Sequence, residues 1–231
     1  MASAQAAQER NPFSDAASQV LRAALSDPLK AWGVRELARL AGVSPALVVL
    51  VLNRLERLGH VSRERDAQAR VLDPGRLVRD WAAWYAVKPL KDYRYALQER
   101  GDSAMVMDLL RKHRGSLPGR WGLTSMAGAS LASPHSNFRE VHVHLPQAER
   151  VQQSWRDVLG LVPDKLGPVH LILPYYSRSA ADGIRDVDEL PVVSDLQLFL
   201  DCYRYPVRGR EQAEHILKSL LARGWKNAGQ S

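Results

Sequence analysis

Residues 33–70 have the sequence GVRELARLAGVSPALVVLVLNRLERLGHVSRERDAQAR, and this stretch decides the fold of the amino-terminal part. Apolar side chains recur at helical spacing in its first part, at Val34, Leu37, Ala38 and Ala41. We expect this helix to end at Gly42, because glycine readily takes the left-handed conformation at a helix terminus. Ser44 and Pro45 then supply an N-cap and a first-turn proline, which predicts a second helix directly after a tight turn.

A short basic hairpin is predicted after the second helix. The apolar face of that helix comprises Val48, Val51, Leu52, Leu55 and Leu58, and Gly59 follows at its expected carboxyl terminus. Residues 60–65 and 70–72 flank a polar tip that includes Gln68, a pattern that predicts two short strands. Helix, tight turn, helix and basic hairpin in this order predict a winged helix-turn-helix, a unit that contacts double-stranded DNA.

Composition limits the class of protein. The chain has 231 residues, 45% of them hydrophobic, which is enough for one sizeable core or two smaller ones. No apolar run approaches the ~20 residues that span a bilayer, and the first residues lack a basic start before a hydrophobic stretch. We therefore expect a soluble, cytoplasmic protein. Cys202 is the single cysteine, so neither an internal disulfide nor a cysteine-based zinc site is expected, and we predict that it is buried on a helix.

The charge balance favours a polyanionic partner. Lysine and arginine number 32 against 25 acidic residues, which gives a formal net charge of +7 and a pI near 9.7. Residues 1–90 contain 13 basic and 9 acidic residues, a net charge of +4, and residues 91–231 contain 19 and 16, a net charge of +3. The positive charge is therefore only modestly denser in the amino-terminal part.

We expect two domains between short tails. The four segments are a tail over residues 1–13, a winged helix-turn-helix domain over residues 14–90, a mixed α/β domain over residues 91–224 and a tail over residues 225–231. The first domain begins with a helix over residues 14–25. It ends with an aromatic helix that starts at Asp73 and Pro74 and stops before Pro89.

The carboxy-terminal part mixes helices and strands, so we predict an α+β fold for the chain. Helices are predicted over residues 102–112, 125–131, 151–159, 194–203 and 208–221. Strands are predicted over residues 141–145, which alternate strictly, and 169–173, an apolar run. The small side chains at 125–131 indicate a helix that packs very close to another element.

Three histidines and two aspartates are the candidates for catalytic or metal-binding groups. His142 and His144 lie on one face of a predicted strand, with His170 on a possible neighbour, a spacing that can bind a metal. No carboxylate or cysteine is found at a matching spacing, so half-exposed strand residues are the favoured interpretation. Asp186 and Asp188 are expected in a solvated turn. The chain lacks the glycine-rich and nucleophile motifs of nucleotide-binding proteins and hydrolases, and we expect no catalytic residue, metal or cofactor.

The predicted DNA-contacting residues lie on the two helices and the hairpin. The second helix has Leu47, Val49, Leu50, Asn53, Arg54 and Arg57 on its outward face. Among these, Asn53 and the arginines are able to hydrogen-bond to bases or phosphates, and aliphatic groups are able to touch thymine methyls. The remaining predicted contacts are Arg35 and Arg39 on the first helix, Ser44 at the turn, and Arg63, Arg65 and Arg70 on the hairpin.

Four stretches of the carboxy-terminal part form a recognisable combination. They are WGLT at 121–124 with the small-residue helix to Ala132, VHVHLP at 141–146, LPVVSDLQLFLD at 190–201 and RGREQAE at 208–214. Together with the winged unit they resemble the AbiEi family of antitoxins from type IV toxin-antitoxin systems, over most of residues 15–222. The resemblance implies a repressor of its own operon that also antagonises a nucleotidyltransferase-like toxin without binding it stably. Members without a toxin gene act as plain regulators.

Three functions remain open at this point. The leading one is a DNA-binding regulator, expected to act as a homodimer on inverted half-sites. The second is a protein-interaction module that uses the aliphatic face of Leu47, Val49 and Leu50, because adjacent exposed apolar groups usually mark an interface. The third is a metal-dependent enzyme using His142, His144 and Asp188.

Overall fold

The computed structural model describes residues 11–63, 68–99 and 101–224, which form two compact units. The first unit comprises the described residues up to Tyr85 together with residues 220–224, and the second comprises the described residues of Ala86–Ser219. Within the described residues there are nine α-helices, a two-stranded sheet and a seven-stranded sheet. The predicted mixed α+β class is therefore confirmed.

The elements of the first unit follow the predicted order. Its helices are α1 (Asp15–Leu25), α2 (Val34–Ala41), α3 (Pro45–Arg57) and α4 (Pro74–Ala86), and its strands are β1 (Val61–Arg63) and β2 (Ala69–Val71). The axes of α2 and α3 make an angle of 111° across the turn between them. Gly42 makes this turn possible with a φ of 62°, a left-handed conformation that carries little steric penalty for glycine.

Helix α3 begins and packs as its sequence predicts. The side chain of Ser44 caps the helix, its Oγ accepting a hydrogen bond of 3.3 Å from the backbone N–H of Leu47. The buried side chains of the helix are Val48, Val51, Leu52 and Leu55. These four belong to the predicted apolar face, which leaves the opposite side of the helix toward solvent.

The two-stranded sheet is tied to the helices through Trp32. Strands β1 and β2 pair antiparallel, with Val61 opposite Val71 and Arg63 opposite Ala69. Trp32 extends this pairing, because its backbone N–H and carbonyl both bond to Ala69, at 2.8 and 2.9 Å. The buried indole N–H of Trp32 donates to backbone carbonyls at the end of α1 and just beyond it. The hairpin is thereby fixed relative to the helices that precede it.

An aromatic cluster links the amino-terminal end of the described chain to α4. Phe13, which we expected in the tail, is buried and stacks on Trp81 with ring centroids 6.5 Å apart and an interplanar angle of 9°. The ring of Trp84 also lies against Phe13, with the two centroids 6.0 Å apart, and the guanidinium of Arg22 lies over Trp81. The aromatic spacing of α4 therefore serves the core of the first unit.

The second unit is built around the seven-stranded sheet. Its strands are β3 (Lys91–Leu97), β4 (Gly122–Thr124), β5 (Val141–His144), β6 (Leu161–Pro163), β7 (Val169–Leu173), β8 (Arg185–Val187) and β9 (Leu190–Val192). Its helices are α5 (Ser103–His113), α6 (Ser125–Ala132), α7 (Ala148–Leu159), α8 (Asp195–Arg204) and α9 (Gly209–Ala222), the last of which ends in the first unit. A short 3₁₀ helix, Arg114–Ser116, follows α5.

The strand order of this sheet is β6-β3-β7-β5-β4-β9-β8. Strands β5 and β7 pair in parallel, as do β4 and β9, and the other neighbours are antiparallel. The predicted strands β5 and β7 therefore lie side by side near the centre. Strand β3 was not predicted, although its Tyr93 and Tyr95 alternate with Asp92 and Arg94, because it follows Pro89 where we expected a domain boundary.

The small-residue helix α6 packs very close to the sheet, as predicted. A Cβ added at Gly128 would lie 2.7 Å from the backbone oxygen of Leu123 on β4 and 2.8 Å from the Leu198 side chain on α8. Glycine therefore permits a close approach between this helix, the strand before it and α8. The single cysteine, Cys202, is fully buried on α8, as expected.

Hydropathy along the helices gives one further result. Among the described residues, no single helix has the length and apolar composition needed to cross a membrane. The bent pair formed by α2 and α3 meets the length and composition criteria only when its two helices are taken together.

Candidate nucleic-acid interface and a buried histidine cluster

The exposed side of α3 combines aliphatic and polar side chains. Val49 and Leu50 are each 38% exposed, and Leu47 beside them is half-buried. Asn53 and Arg57 are exposed further along the helix. The first outward turn therefore offers methyl groups, whereas the later turns offer an amide and a guanidinium. This surface is able to make apolar contacts at one end and hydrogen bonds at the other.

Two of the predicted DNA-contacting residues are bonded to each other. A guanidinium nitrogen of Arg63 on β1 donates to Oδ1 of Asn53 on α3 at 2.8 Å. The same guanidinium lies 3.9 Å from the carboxylate of Glu56. The bond occupies the acceptor atom of the Asn53 side chain, and its amide N–H donors are the groups that remain for a base edge. The hairpin and α3 are thereby joined at their exposed surfaces.

Arginines on α2 extend the positive charge of this surface. Arg35 and Arg39 are one helical turn apart, and both are exposed without an ion-pair partner among the described residues. Glu36 lies between them in sequence, but its carboxylate is paired with Lys30 at 2.6 Å. The hydrogen bond from Lys30 lowers the pKa of Glu36. The two arginines are therefore available to an external anion.

The other predicted contacts occupy different environments. Ser44 uses its hydroxyl oxygen as the cap acceptor, which leaves the hydroxyl hydrogen to donate. Arg54 is half-buried on α3. Arg70 on β2 donates to the backbone carbonyl of Leu29 at 2.8 Å, so part of its guanidinium holds the loop after α1. Arg65 lies outside the described residues.

The second unit buries its strand histidines, and the expectation of a half-exposed polar face was wrong. His142 is 7% exposed, His144 is 1% exposed and His170 is fully buried. Successive side chains of a strand point to opposite faces, and all four residues of β5 are buried, so both faces of this strand are covered. The parallel pairing of β5 and β7 sets His142 directly beside His170.

His170 is held by a carboxylate from the unpredicted strand β3. Its Nδ1 lies 2.9 and 3.1 Å from the two carboxylate oxygens of Asp92. The imidazole of His142 stacks on that of His170, with ring centroids 4.2 Å apart and an angle of 26° between the planes. Asp92 therefore fixes the imidazole of His170, and the imidazole of His142 stacks on it.

Glu140 completes the cluster from the residue before β5. One carboxylate oxygen is 3.7 Å from Nε2 of His170, and the other is 3.8 Å from Nε2 of His142. The hydroxyl of Tyr205 donates to this carboxylate at 2.7 Å, and its ring meets His142 edge-on. The expectation that no carboxylate has a matching spacing was wrong, because Glu140 lies two positions before His142 and close to both imidazoles.

The electrostatics of the cluster favour a neutral His142 beside an ionised Asp92. Burial lowers the pKa of His142 to about 3, and the neighbouring His170 acts in the same direction. Burial opposes ionisation of Asp92, but its hydrogen bonds with His170 and Arg94 outweigh that effect and lower the pKa of Asp92. Burial, together with the hydrogen bond to Glu140, raises the pKa of Tyr205.

A separate buried network surrounds Asp201 on α8. Its carboxylate accepts hydrogen bonds from the Thr124 hydroxyl at 2.7 Å and from the Gln197 amide at 3.0 Å. Both bonds end on Oδ2 of Asp201, and Nε2 of His144 lies 3.3 Å from that oxygen. All four side chains are buried, so the carboxylate is satisfied by the protein interior rather than by water.

The acidic pair Asp186 and Asp188 does not join the histidines. Asp186 lies on strand β8, where we expected a solvated turn, and both its carboxylate oxygens accept from Arg114 at 2.6 Å. Asp188 lies in the turn after that strand and is paired with Arg111. The grouping of His142, His144 and Asp188 that a metal-dependent enzyme required is therefore not formed.

No protein-family model, curated protein or solved structure matches this chain.

Proposed function

We propose that this protein is a DNA-binding transcriptional regulator whose amino-terminal unit is a winged helix-turn-helix. The observation that carries the proposal is the order of the elements: α2, a three-residue turn, α3 at 111° to α2, and then a paired basic hairpin. Helix-turn-helix units cross at roughly 90–120° through a turn that often contains glycine. The bridge between Trp32 and Ala69 supports it further, since it anchors the hairpin beside the helices.

In this proposal α3 lies in the major groove. Its exposed Val49 and Leu50 contact thymine methyls, and Asn53 reads a base edge with its amide donors. Few base-specific hydrogen bonds are available from such a surface. Sequence preference therefore depends on a small number of positions and on the spacing of two half-sites.

Affinity comes mainly from arginines that contact phosphates. The candidates are the exposed Arg35 and Arg39 on α2, the exposed Arg57 on α3, and Arg63 and Arg70 on the two hairpin strands. Contacts of this kind release counterions and make binding depend steeply on salt, while they carry little sequence information.

The resemblance to the AbiEi antitoxins extends the proposal to a biological setting. The protein represses its own operon as a homodimer on inverted half-sites, and it opposes a nucleotidyltransferase-like toxin without forming a stable complex. The alternative is a stand-alone regulator with no toxin. Co-expression with the product of the neighbouring gene separates the two, since an antitoxin restores growth without co-purifying with the toxin.

The DNA-binding part is tested by fluorescence anisotropy on a labelled duplex that covers the region upstream of its own gene. Across a salt series from roughly 50 to 200 mM, the logarithm of the affinity should fall linearly with the logarithm of the salt concentration. A duplex of equal length and unrelated sequence should bind more weakly. Absence of binding to both duplexes at the lowest salt would contradict the proposal.

A second candidate function is favoured by the exposure of Val49 and Leu50 next to Leu47. Adjacent apolar groups on a surface mark protein interfaces. In this alternative the outward face of α3 docks on another protein or another copy of the chain. Light scattering of the wild type and of a Leu47→Ser, Leu50→Ser double variant tests it, because unchanged mass together with unchanged DNA binding would exclude it.

A further inference from the structure

We propose that Glu140, His142 and His170 form a binding site for a divalent transition metal of the zinc class. Within the described residues this is the one group of three potential ligands whose donor atoms all lie within 4.8 Å of one another. The site lies in the second unit and is independent of the proposed DNA-binding surface.

The donor set has the chemistry of a known class of metal centre. Two imidazole nitrogens and one carboxylate oxygen suit Zn²⁺ and related ions, and three protein ligands leave a further coordination position open. Tetrahedral zinc with ligand distances of about 2.1 Å places its donors ~3.4 Å apart. Nε2 of His170 lies 3.7 Å from Oε1 of Glu140 and Nε2 of His142 lies 3.8 Å from Oε2, and one donor atom from each of the three residues lies within 4.8 Å of the others. The side chains must therefore draw together by about 1 Å to reach the tetrahedral separation.

The contacts around His170 prepare it as a ligand. A neutral imidazole that donates from Nδ1 to Asp92 presents the lone pair of Nε2 on its other side. That Nε2 is buried and has no hydrogen-bond partner among the described residues. Burying a polar atom without a partner is costly, and a metal ion would supply the missing partner. A carboxylate behind a ligating histidine is the usual arrangement at zinc sites.

The remaining two ligands are also positioned for this purpose. Tyr205 donates to Glu140 and so orients its carboxylate, while Glu140 itself is half-buried and gives an ion access from solvent. The stacked rings must diverge for both Nε2 atoms to point at one centre. His142 is the ring that turns, because its Nδ1 is buried without a hydrogen bond to lose, whereas Asp92 holds His170 in place.

Calorimetric titration of the full chain with Zn²⁺ after dialysis against a chelator tests the site. We expect one ion per chain, and Co²⁺ should give the visible absorption of a low-symmetry, four- or five-coordinate centre. Asp92→Asn should weaken zinc binding about 10- to 100-fold, since it removes the carboxylate behind a ligand. Glu140→Gln should weaken it more, because it removes a ligand while it keeps an oxygen that accepts from Tyr205.

A second stacked histidine pair provides the matched control. His135 and His215 stack at 4.5 Å, and His135 lies 3.2 Å from Glu211, but these three do not form a cluster of converging donors. A His135→Asn, His215→Asn double variant should keep the zinc affinity of the wild type. The proposal is overturned if the wild type binds no stoichiometric metal, if the control variant loses it, or if Glu140→Gln retains full affinity. Because Glu140 is half-buried, the last comparison does not depend on replacing a fully buried side chain.

Discussion

Arg63 on strand β1 donates a hydrogen bond to the side-chain oxygen of Asn53 on helix α3 at 2.8 Å. This bond couples the hairpin to the helix at the surface that we propose for DNA. In our proposal the two residues have different roles. The amide donors of Asn53 contact a base, and the guanidinium of Arg63 adds positive charge near the DNA phosphates. Variants at the two positions should therefore have different effects.

The first prediction concerns Asn53→Ala. Removal of the base contact that the amide donors make should cost about 1 kcal/mol of discrimination at a single base pair and should leave the salt dependence of binding unchanged. Arg63→Ala should instead weaken binding to all sequences and reduce the salt slope. Anisotropy on a set of single-base operator variants measures both effects, and an unchanged preference in Asn53→Ala would remove this helix from base reading.

A second prediction concerns the charge on α2. Each phosphate contact contributes about 0.9 to the slope of log affinity against log salt, so Arg35→Ala and Arg39→Ala together should lower the slope by ~1.8. Arg150 is an exposed arginine on α7 of the second unit, and Arg150→Ala is the matched control for loss of charge alone. Equal slope changes in the double variant and in the control would contradict the placement of the phosphate contacts.

A third prediction separates folding from binding at Ser44. Its hydroxyl oxygen caps α3, so Ser44→Ala should lower the free energy of unfolding by about 1 kcal/mol. Ser44→Asp keeps a capping oxygen and should retain stability, but it adds a negative charge beside the DNA and should weaken binding. Urea denaturation and anisotropy on the same three proteins measure the two effects. Tight DNA binding by Ser44→Asp would place this turn away from the phosphates.

The buried network of Asp201 gives a fourth prediction. Thr124→Val removes the hydroxyl that donates to the carboxylate at 2.7 Å while it preserves the shape of the side chain. A buried carboxylate that loses one donor should destabilise the protein by about 1–3 kcal/mol. Thr124→Ser keeps the hydroxyl and serves as the control. If the serine variant loses as much stability as the valine variant in chemical denaturation, packing of the methyl group rather than the hydrogen bond is responsible.

Local signals account for the parts of the fold that the sequence predicted. Gly42, Ser44 and Asp102 act within three residues of their own positions, as a left-handed terminus and two helix caps, so their patterns are visible in the sequence. The apolar face of α3 is equally local, because helical periodicity needs only neighbouring turns.

The histidine cluster could not be assembled from such signals. Asp92 reaches His170 only because β3 pairs with β7, and Tyr205 reaches Glu140 from the end of α8. These pairs are 78 and 65 residues apart in the chain, and strand register rather than local pattern brings them together. Glu140 is the exception, since its alternation with His142 is visible in the sequence.

The last prediction concerns the pH dependence of the first unit. His60 is buried, with its Nε2 3.2 Å from the carboxylate of Asp80. Burial lowers the pKa of His60 below its ordinary value of 6.5; Asp80 and Asp73 act against this shift, and Arg76 adds to it. The unfolded chain therefore binds this proton more readily than the folded protein does. The neutral residue contributes its full stability above pH 6.5, and that contribution should be lost progressively as the pH falls through and below this value.

His60→Gln should reduce this dependence because glutamine does not titrate. The free energy of unfolding, measured by urea denaturation at several pH values between neutrality and about pH 5, should fall less steeply for the variant than for the wild type. His113→Gln provides the control, as His113 is a less buried histidine on α5 of the second unit. Parallel pH profiles for the wild type and His60→Gln would show that the carboxylate of Asp80 compensates the burial of the imidazolium in full.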